Sequence, residues 1–225
     1  MDTACHSFSV PRTARWWSAG PMEGTERKGT LIVLHGYGQL PEYFIRKFRL
    51  LAEAGWHVVA PEGAHRFYLQ GTEGRVGASW MTKEARLDDI ADQVVFLDAL
   101  LGQIEEGMAR GPRVLLGFSQ GVATALRWAA LGGRGAGWWN GIIAHSGVIP
   151  SDLRSLDGSL ADAPCLDLIV GTEDPYIQDR DDRFRRAEAA WIEGGGDPDR
   201  LRLHTFDGGH DVDIASVQSV LKGLG

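Results

Sequence analysis

Cysteine is scarce in this sequence: Cys5 and Cys165 are the only two in 225 residues. One stands near the N-terminus and the other opens an apolar run, which excludes a disulfide framework and a cysteine-built metal cluster and reads as free thiols in a reducing compartment. Basic excess is lacking too. With 23 Lys and Arg against 30 Asp and Glu the net charge is -7 and the isoelectric point is near 5.5. That balance gathers neither nucleic-acid phosphates nor anionic lipid, and fits a small neutral or partly apolar substrate. No uninterrupted apolar stretch approaches the ~18 residues of a membrane span, and the opening MDTACHSFSVPRTARWW lacks the basic and apolar regions of a secretion signal. A cytoplasmic protein is expected, with no integral membrane association, no nucleic-acid partner, no metal and no cofactor. Repeats and low-complexity segments are absent as well, so the order of strand-like and helix-like runs carries the architecture.

That order is regular. TLIVLHG (30–36) is a short apolar run rich in β-branched residues, as a buried strand of a parallel sheet requires. EYFIRKFRLLAEAG follows as a helix with Phe44, Phe48 and Leu51 on one face and Gly55 past its end, and HVVAP (57–61) returns to strand. Over 86–106, Leu87, Ile90, Val94, Leu97, Leu101 and Ile104 recur at spacings of three and four, predicting a long helix with Asp88 and Asp89 at its positive end. RVLLG, GIIAHSG, CLDLIVG and LRLHTF are further strands; VATALRWAAL, a segment from about 181 to 192, and VDIASVQSVLKGL are further helices. Alternation of this kind predicts one α/β domain over 1–225, a mostly parallel sheet covered by helices on both faces. The N-terminal HSFSVPRTARWWSAG adds an edge strand or hairpin, Pro11 arguing against a central place. Residues 61–83 exceed an ordinary connection and are glycine-rich without a clear period; they are either a functional loop or a tolerated insertion.

The stretch GFSQG (117–121) stands where RVLL turns into VATALRWAAL. A serine hydroxyl is a weak nucleophile unless a base takes its proton, and it must stand where a carbonyl can reach it. A sharp strand-to-helix turn provides the access, and G-x-S-x-G at such a junction is the nucleophile elbow. Ser119 is therefore the candidate nucleophile, against the plainer reading of a helix cap. The backbone NH of Gln120 then faces a developing oxyanion, and LHGYG (34–38) offers the NH of Tyr37 as a second donor. The orienting acid and the base should follow at the ends of later strands. Asp174 lies in the turn after CLDLIVG and His210 in the turn after LRLHTF. Asp207 is the rival acid; Asp167 and His204 lie inside strands, and His35 is placed to brace the oxyanion turn. No grouping has metal-binding spacing.

With LHGYG, GFSQG, GTEDPYI and GGHD in this order, the chain resembles α/β-hydrolases of the carboxylesterase/phospholipase family, which includes bacterial carboxylesterases and acyl-protein thioesterases. The resemblance covers nearly the whole chain and implies an α/β-hydrolase fold without a large cap domain. It also implies a Ser119–Asp174–His210 triad with an oxyanion hole at Tyr37 and Gln120. GASW (77–80) is similar to that family's tryptophan segment. Val122 stands where the family often has a further glycine, and Met81 and Thr82 where it often has an aromatic and an acid. These departures bear on the acyl-binding surface, for which Trp80, Leu69, Ile149 and Ile177 are candidates, with core packing the alternative for each.

The function expected is a serine hydrolase that cleaves carboxylic esters, or thioesters, of small to medium acyl groups in an open, shallow cleft. A noncatalytic ligand-binding module of the same fold and an acyltransferase are the alternatives. Trp138 and Trp139 supply either a contact surface for a homodimer or local packing.

Overall fold

The computed structural model of the chain describes residues 1, 3–22, 27–104, 111–176 and 180–224. Its strands are β1 (Trp16–Ala19), β2 (Gly29–Leu34), β3 (Trp56–Pro61), β4 (His65–Tyr68), β5 (Val76–Ser79), β6 (Arg113–Phe118), β7 (Gly141–His145), β8 (Leu166–Gly171) and β9 (Leu201–Phe206). The helices are α1 (Pro41–Phe44), α2 (Arg49–Glu53), α3 (Arg86–Ile104), α4 (Gln120–Leu131), α5 (Arg180–Glu193) and α6 (Ile214–Lys222).

Seven strands form one sheet in the order β1-β3-β2-β6-β7-β8-β9. Every neighbouring pair is parallel except β1 with β3, so the expected N-terminal edge strand is present, antiparallel and beyond Pro11. The β-branched and aliphatic strands are buried through their length at β2, β3, β7 and β8, the pattern of a sheet covered on both sides. One face packs against α3, α4 and α5 through residues such as Leu97, Leu126 and Trp191. The other packs against α1, α2 and α6 through Phe44, Leu51 and Val217.

Three local readings differ from expectation. EYFIRKFRLLAEAG is not one helix; a 3-10 turn over Ile45–Phe48 separates α1 from α2. A 3-10 turn brings residues three apart onto one side, and here it buries Ile45 and Phe48 together, below Phe44 and beside Leu51. In α3 the buried face is Ile90, Gln93, Leu97, Leu100, Leu101 and Ile104, while Leu87 in the first turn is exposed. Gln93 tolerates burial because its amide donates to the Trp80 carbonyl at 2.6 Å and accepts from the Thr124 hydroxyl at 3.1 Å. The expected end of this helix at 105–106 lies outside the described residues.

Residues 61–83 are not an irregular loop. They hold the antiparallel hairpin β4–β5, with His65 opposite Ser79 and Tyr68 opposite Val76. Gly38 donates to Ala78, and Ala78 to Gln39, which clips the hairpin to the turn after β2.

Candidate active site

Ser119 follows β6 directly and has φ 53° and ψ -116°, a conformation disfavoured for a residue with a side chain. The surrounding structure holds it there. Its amide donates to the His145 carbonyl at 2.9 Å, and its own carbonyl receives the Val122 amide at 3.1 Å. The two flanking glycines are required by close approach: a Cβ on Gly117 would run into the Gly121 carbonyl, and one on Gly121 into the Leu34 carbonyl of β2. The elbow thus packs backbone to backbone against its neighbouring strand. Although Ser119 precedes α4, its hydroxyl caps no helix amide.

The hydroxyl meets His210 instead. Nε2 of His210 lies 3.0 Å from Ser119 Oγ, and its Nδ1 lies 2.7 Å from Asp174 Oδ2. Ser119, Asp174 and His210 come from the C-terminal ends of β6, β8 and β9, with β7 between the first two. The Asp174 side chain has no exposed surface, and its other oxygen accepts the Tyr176 amide at 3.0 Å. A buried carboxylate with both oxygens engaged is fixed in orientation. The turns after β8 and β9 are tied to each other by Thr172 donating to Phe206 and Glu173 to Gly208. Arg183 on α5 donates to the carbonyls of Gly147 and Tyr176, which fastens the acid's turn to the segment after β7. Burial draws its guanidinium below the usual value, and the Asp174 charge opposes that shift.

Tyr37 lies in the turn after β2, beside β6 in the sheet. Among the described residues the amides of Tyr37 and Gln120 have no hydrogen-bond acceptor, whereas Gly36, Gly38 and Gln39 around them all donate. His35 supports this turn from below. Its Nε2 accepts the Gly63 amide at 3.0 Å, so its Nδ1 carries the proton and donates to the Gly36 carbonyl at 2.8 Å. Burial pushes the ring's pKa down to about 4, the Gly36 carbonyl and Glu62 opposing, so it stays neutral in that role. The Gln120 side chain reaches the same region from α4. It accepts from the Trp80 amide at 3.1 Å and donates to the Met81 carbonyl at 2.9 Å.

The remaining candidates separate. Trp80 has no exposed surface and donates its indole NH to the His35 carbonyl at 2.8 Å, so it underlies the turn after β2 and does not line an open cleft. Ile149 is likewise buried in the core. Leu69 is partly exposed, with a methyl group against Gly38, and remains on the open side with Tyr37 and Phe67. Ile177 lies outside the described residues. Asp207 is exposed and approaches the Thr172 hydroxyl at 3.4 Å, and Asp167 pairs with His204 at 2.6 Å, away from Ser119. Trp139 is buried edge-on against Trp128, and the partly buried Trp138 stacks with Arg113, so both make local packing contacts. Sequence reasoning missed Arg183, the Gln120 side chain and the imidazole of His145. Only the last carried a signal, a polar residue ending an apolar strand.

The family model described as phospholipase/carboxylesterase matches residues 22–224. No curated protein matches the chain at a significant level. Among solved structures, the esterase PE8 is similar at 24% identity and a TM-score of 0.67, over 95% of this chain and 98% of that one. Acyl-protein thioesterase 2 of Zea mays is similar at 20% identity and 0.67, over 95% and 100%. The Bacillus cereus carboxylesterase is similar at 16% identity and 0.64, over 94% and 93%. At these identities the likeness concerns the α/β-hydrolase fold, and no large cap domain is added to it among the described residues.

Proposed function

The chain belongs to the phospholipase/carboxylesterase family, an ester-hydrolysing group of α/β-hydrolases, and from that membership we propose that it cleaves carboxylic esters, and thioesters of comparable acyl groups, through an acyl-enzyme on Ser119. Ser119 Oγ attacks the acyl carbonyl as His210 Nε2 takes its proton. Asp174 holds the ring with Nδ1 protonated and stabilises the imidazolium that forms. The amides of Tyr37 and Gln120 receive the oxyanion, each lowering the barrier by roughly 3 to 4 kcal/mol if they behave as such donors do in other hydrolases. His210 then protonates the leaving alcohol or thiol, and water, with His210 as base, releases the acid.

The observation that carries this reading is the continuous pair of hydrogen bonds from Ser119 through His210 to a buried Asp174, at 3.0 and 2.7 Å. An open acyl surface is supported by Tyr176, exposed and edge-on to the His210 ring, and by exposed Tyr37 and Leu69 at the turn after β2. Such a shelf suits small to medium acyl groups.

Ser119→Ala is expected to abolish hydrolysis of p-nitrophenyl butyrate and labelling by a fluorophosphonate, with the circular dichroism spectrum unchanged. A noncatalytic module would resist the fluorophosphonate even as the parent protein, and an acyltransferase would partition product toward an added alcohol. Undiminished turnover by Ser119→Ala would refute the assignment.

A further inference from the structure

The strand between the serine's and the acid's ends in His145, whose side chain is fully buried. Its two halves engage different parts of the site. The main-chain carbonyl accepts the Ser119 amide at 2.9 Å. The ring Nε2 accepts the amide of Asp213 at 2.9 Å, three residues beyond His210 on the same turn. An amide can only donate, so Nε2 must be unprotonated; Nδ1 then carries the hydrogen and donates to Ser146 Oγ at 3.1 Å. Phe118 and Phe206 lie against the ring, and Phe118 also packs on His210. Asp213 is the N-cap of α6, accepting from Ser216, so its backbone position also sets where that helix begins.

We propose that His145 is a positioning residue, a neutral imidazole that fixes the His210-bearing turn against the serine elbow by accepting the Asp213 amide; this inference rests on the catalytic reading above. Among the described contacts, further ties reach this turn: Glu173 to Gly208 and, on the exposed side, Thr172 to Asp207 at 3.4 Å before the histidine, and Lys47 to Asp211 at 2.6 Å on the exposed side after it. The first orients the turn toward the acid. His145 is the buried tie after the histidine, and it refers that turn to the strand beside the nucleophile. Its removal should let His210 drift from Ser119 without altering the groups that contact the acyl chain. A displacement near 1 Å in such a relay costs up to about a hundredfold in rate.

The test is the series His145→Leu, His145→Gln and His145→Asn, with Ser119→Ala alongside. Glutamine's carbonyl can reach the Nε2 position; asparagine's is too short, though its burial costs are similar. On p-nitrophenyl butyrate, His145→Leu and His145→Asn should lose about tenfold to a hundredfold in kcat with KM within twofold. His145→Gln should stay within about fivefold of the parent. In the parent, the Asp213 amide should be protected from hydrogen exchange, and protection should persist in the Gln variant only. Equal kcat for the Gln and Asn variants, or an Asp213 amide no better protected in the Gln variant than in the Asn variant, overturns the proposal even if the Leu variant fails to fold, because only glutamine restores an acceptor to that amide. Turnover surviving in Ser119→Ala would instead remove the catalytic reading, and this inference with it.

Discussion

Asp174→Asn probes the relay with an isosteric change. Oδ1 of Asp174 accepts the Tyr176 amide at 3.0 Å, so an asparagine at this position must keep its carbonyl oxygen there. Its NH2 then occupies the Oδ2 site, 2.7 Å from His210 Nδ1, and donates to that nitrogen. The ring is forced into the tautomer with hydrogen on Nε2, which points at Ser119 Oγ and can no longer take its proton. The charge is lost as well. Opposite charges about 4 Å apart interact by about 4 kcal/mol at an effective dielectric of 20, about a thousandfold in rate, and the inverted tautomer adds to this. A roughly 10⁴-fold fall in kcat is expected, the size of loss that this substitution produces in other serine hydrolases. Initial rates on p-nitrophenyl butyrate, with circular dichroism as the fold control, measure it. Asp207→Asn, which alters only an exposed contact with Thr172, should change kcat less than twofold. A tenfold or smaller loss in Asp174→Asn would refute the reasoning, and a large loss in Asp207→Asn would transfer the role to the rival carboxylate.

Stability should fall on mild acidification. His35, His57 and His145 are each pushed from 6.5 to about 4, mainly by burial, so between those pH values the unfolded chain binds protons that the folded chain refuses. Stability from these rings is complete above about pH 6.5 and is lost as pH falls toward 4, by at most about 2 kcal/mol per histidine between pH 7 and pH 5; a urea midpoint unchanged between those two values would show that the rings are not held neutral. Gly121→Ala should cost about 1 to 3 kcal/mol by driving a methyl group into the Leu34 carbonyl, lowering the melting temperature by roughly 2 to 12 °C; an unshifted melting curve would show that the elbow and β2 are not in close contact.

What the sequence made legible follows from where its information is local. Parallel strands such as TLIVLHG and GIIAHSG are read from composition, because burial on both faces demands an unbroken apolar run. The order serine, acid, histidine is legible because each candidate sits in the turn that ends such a run. The β4–β5 hairpin was not legible: HRFY and VGAS are four-residue strands, too short for a period, and they are defined by pairing with each other and with the turn after β2. The broken first helix was hidden for a related reason, since the 3-10 turn answers to the position of the sheet surface beneath Phe44 and Phe48 rather than to propensity.

The same distinction separates the candidate reacting groups from those that hold them. A nucleophile elbow announces itself by two glycines and a junction, whereas a support is defined by the distance between atoms remote in sequence. Trp80 is conspicuous in the sequence as an acyl contact or a core residue, and the structure spends its indole on the His35 carbonyl. Nothing in the sequence around His145 points to Asp213, 68 residues away, whose amide its ring accepts. The strained φ of Ser119 persists because several such supports converge on it: a backbone acceptor from β7, a glycine contact with β2, and the Gln120 side chain clasping Trp80 and Met81. Strain of this kind costs about 1 to 3 kcal/mol, which neighbouring packing must offset. Substitutions at these supports should therefore lower activity before they unfold the protein, the reverse of the order expected for Leu97 or Leu126 in the core.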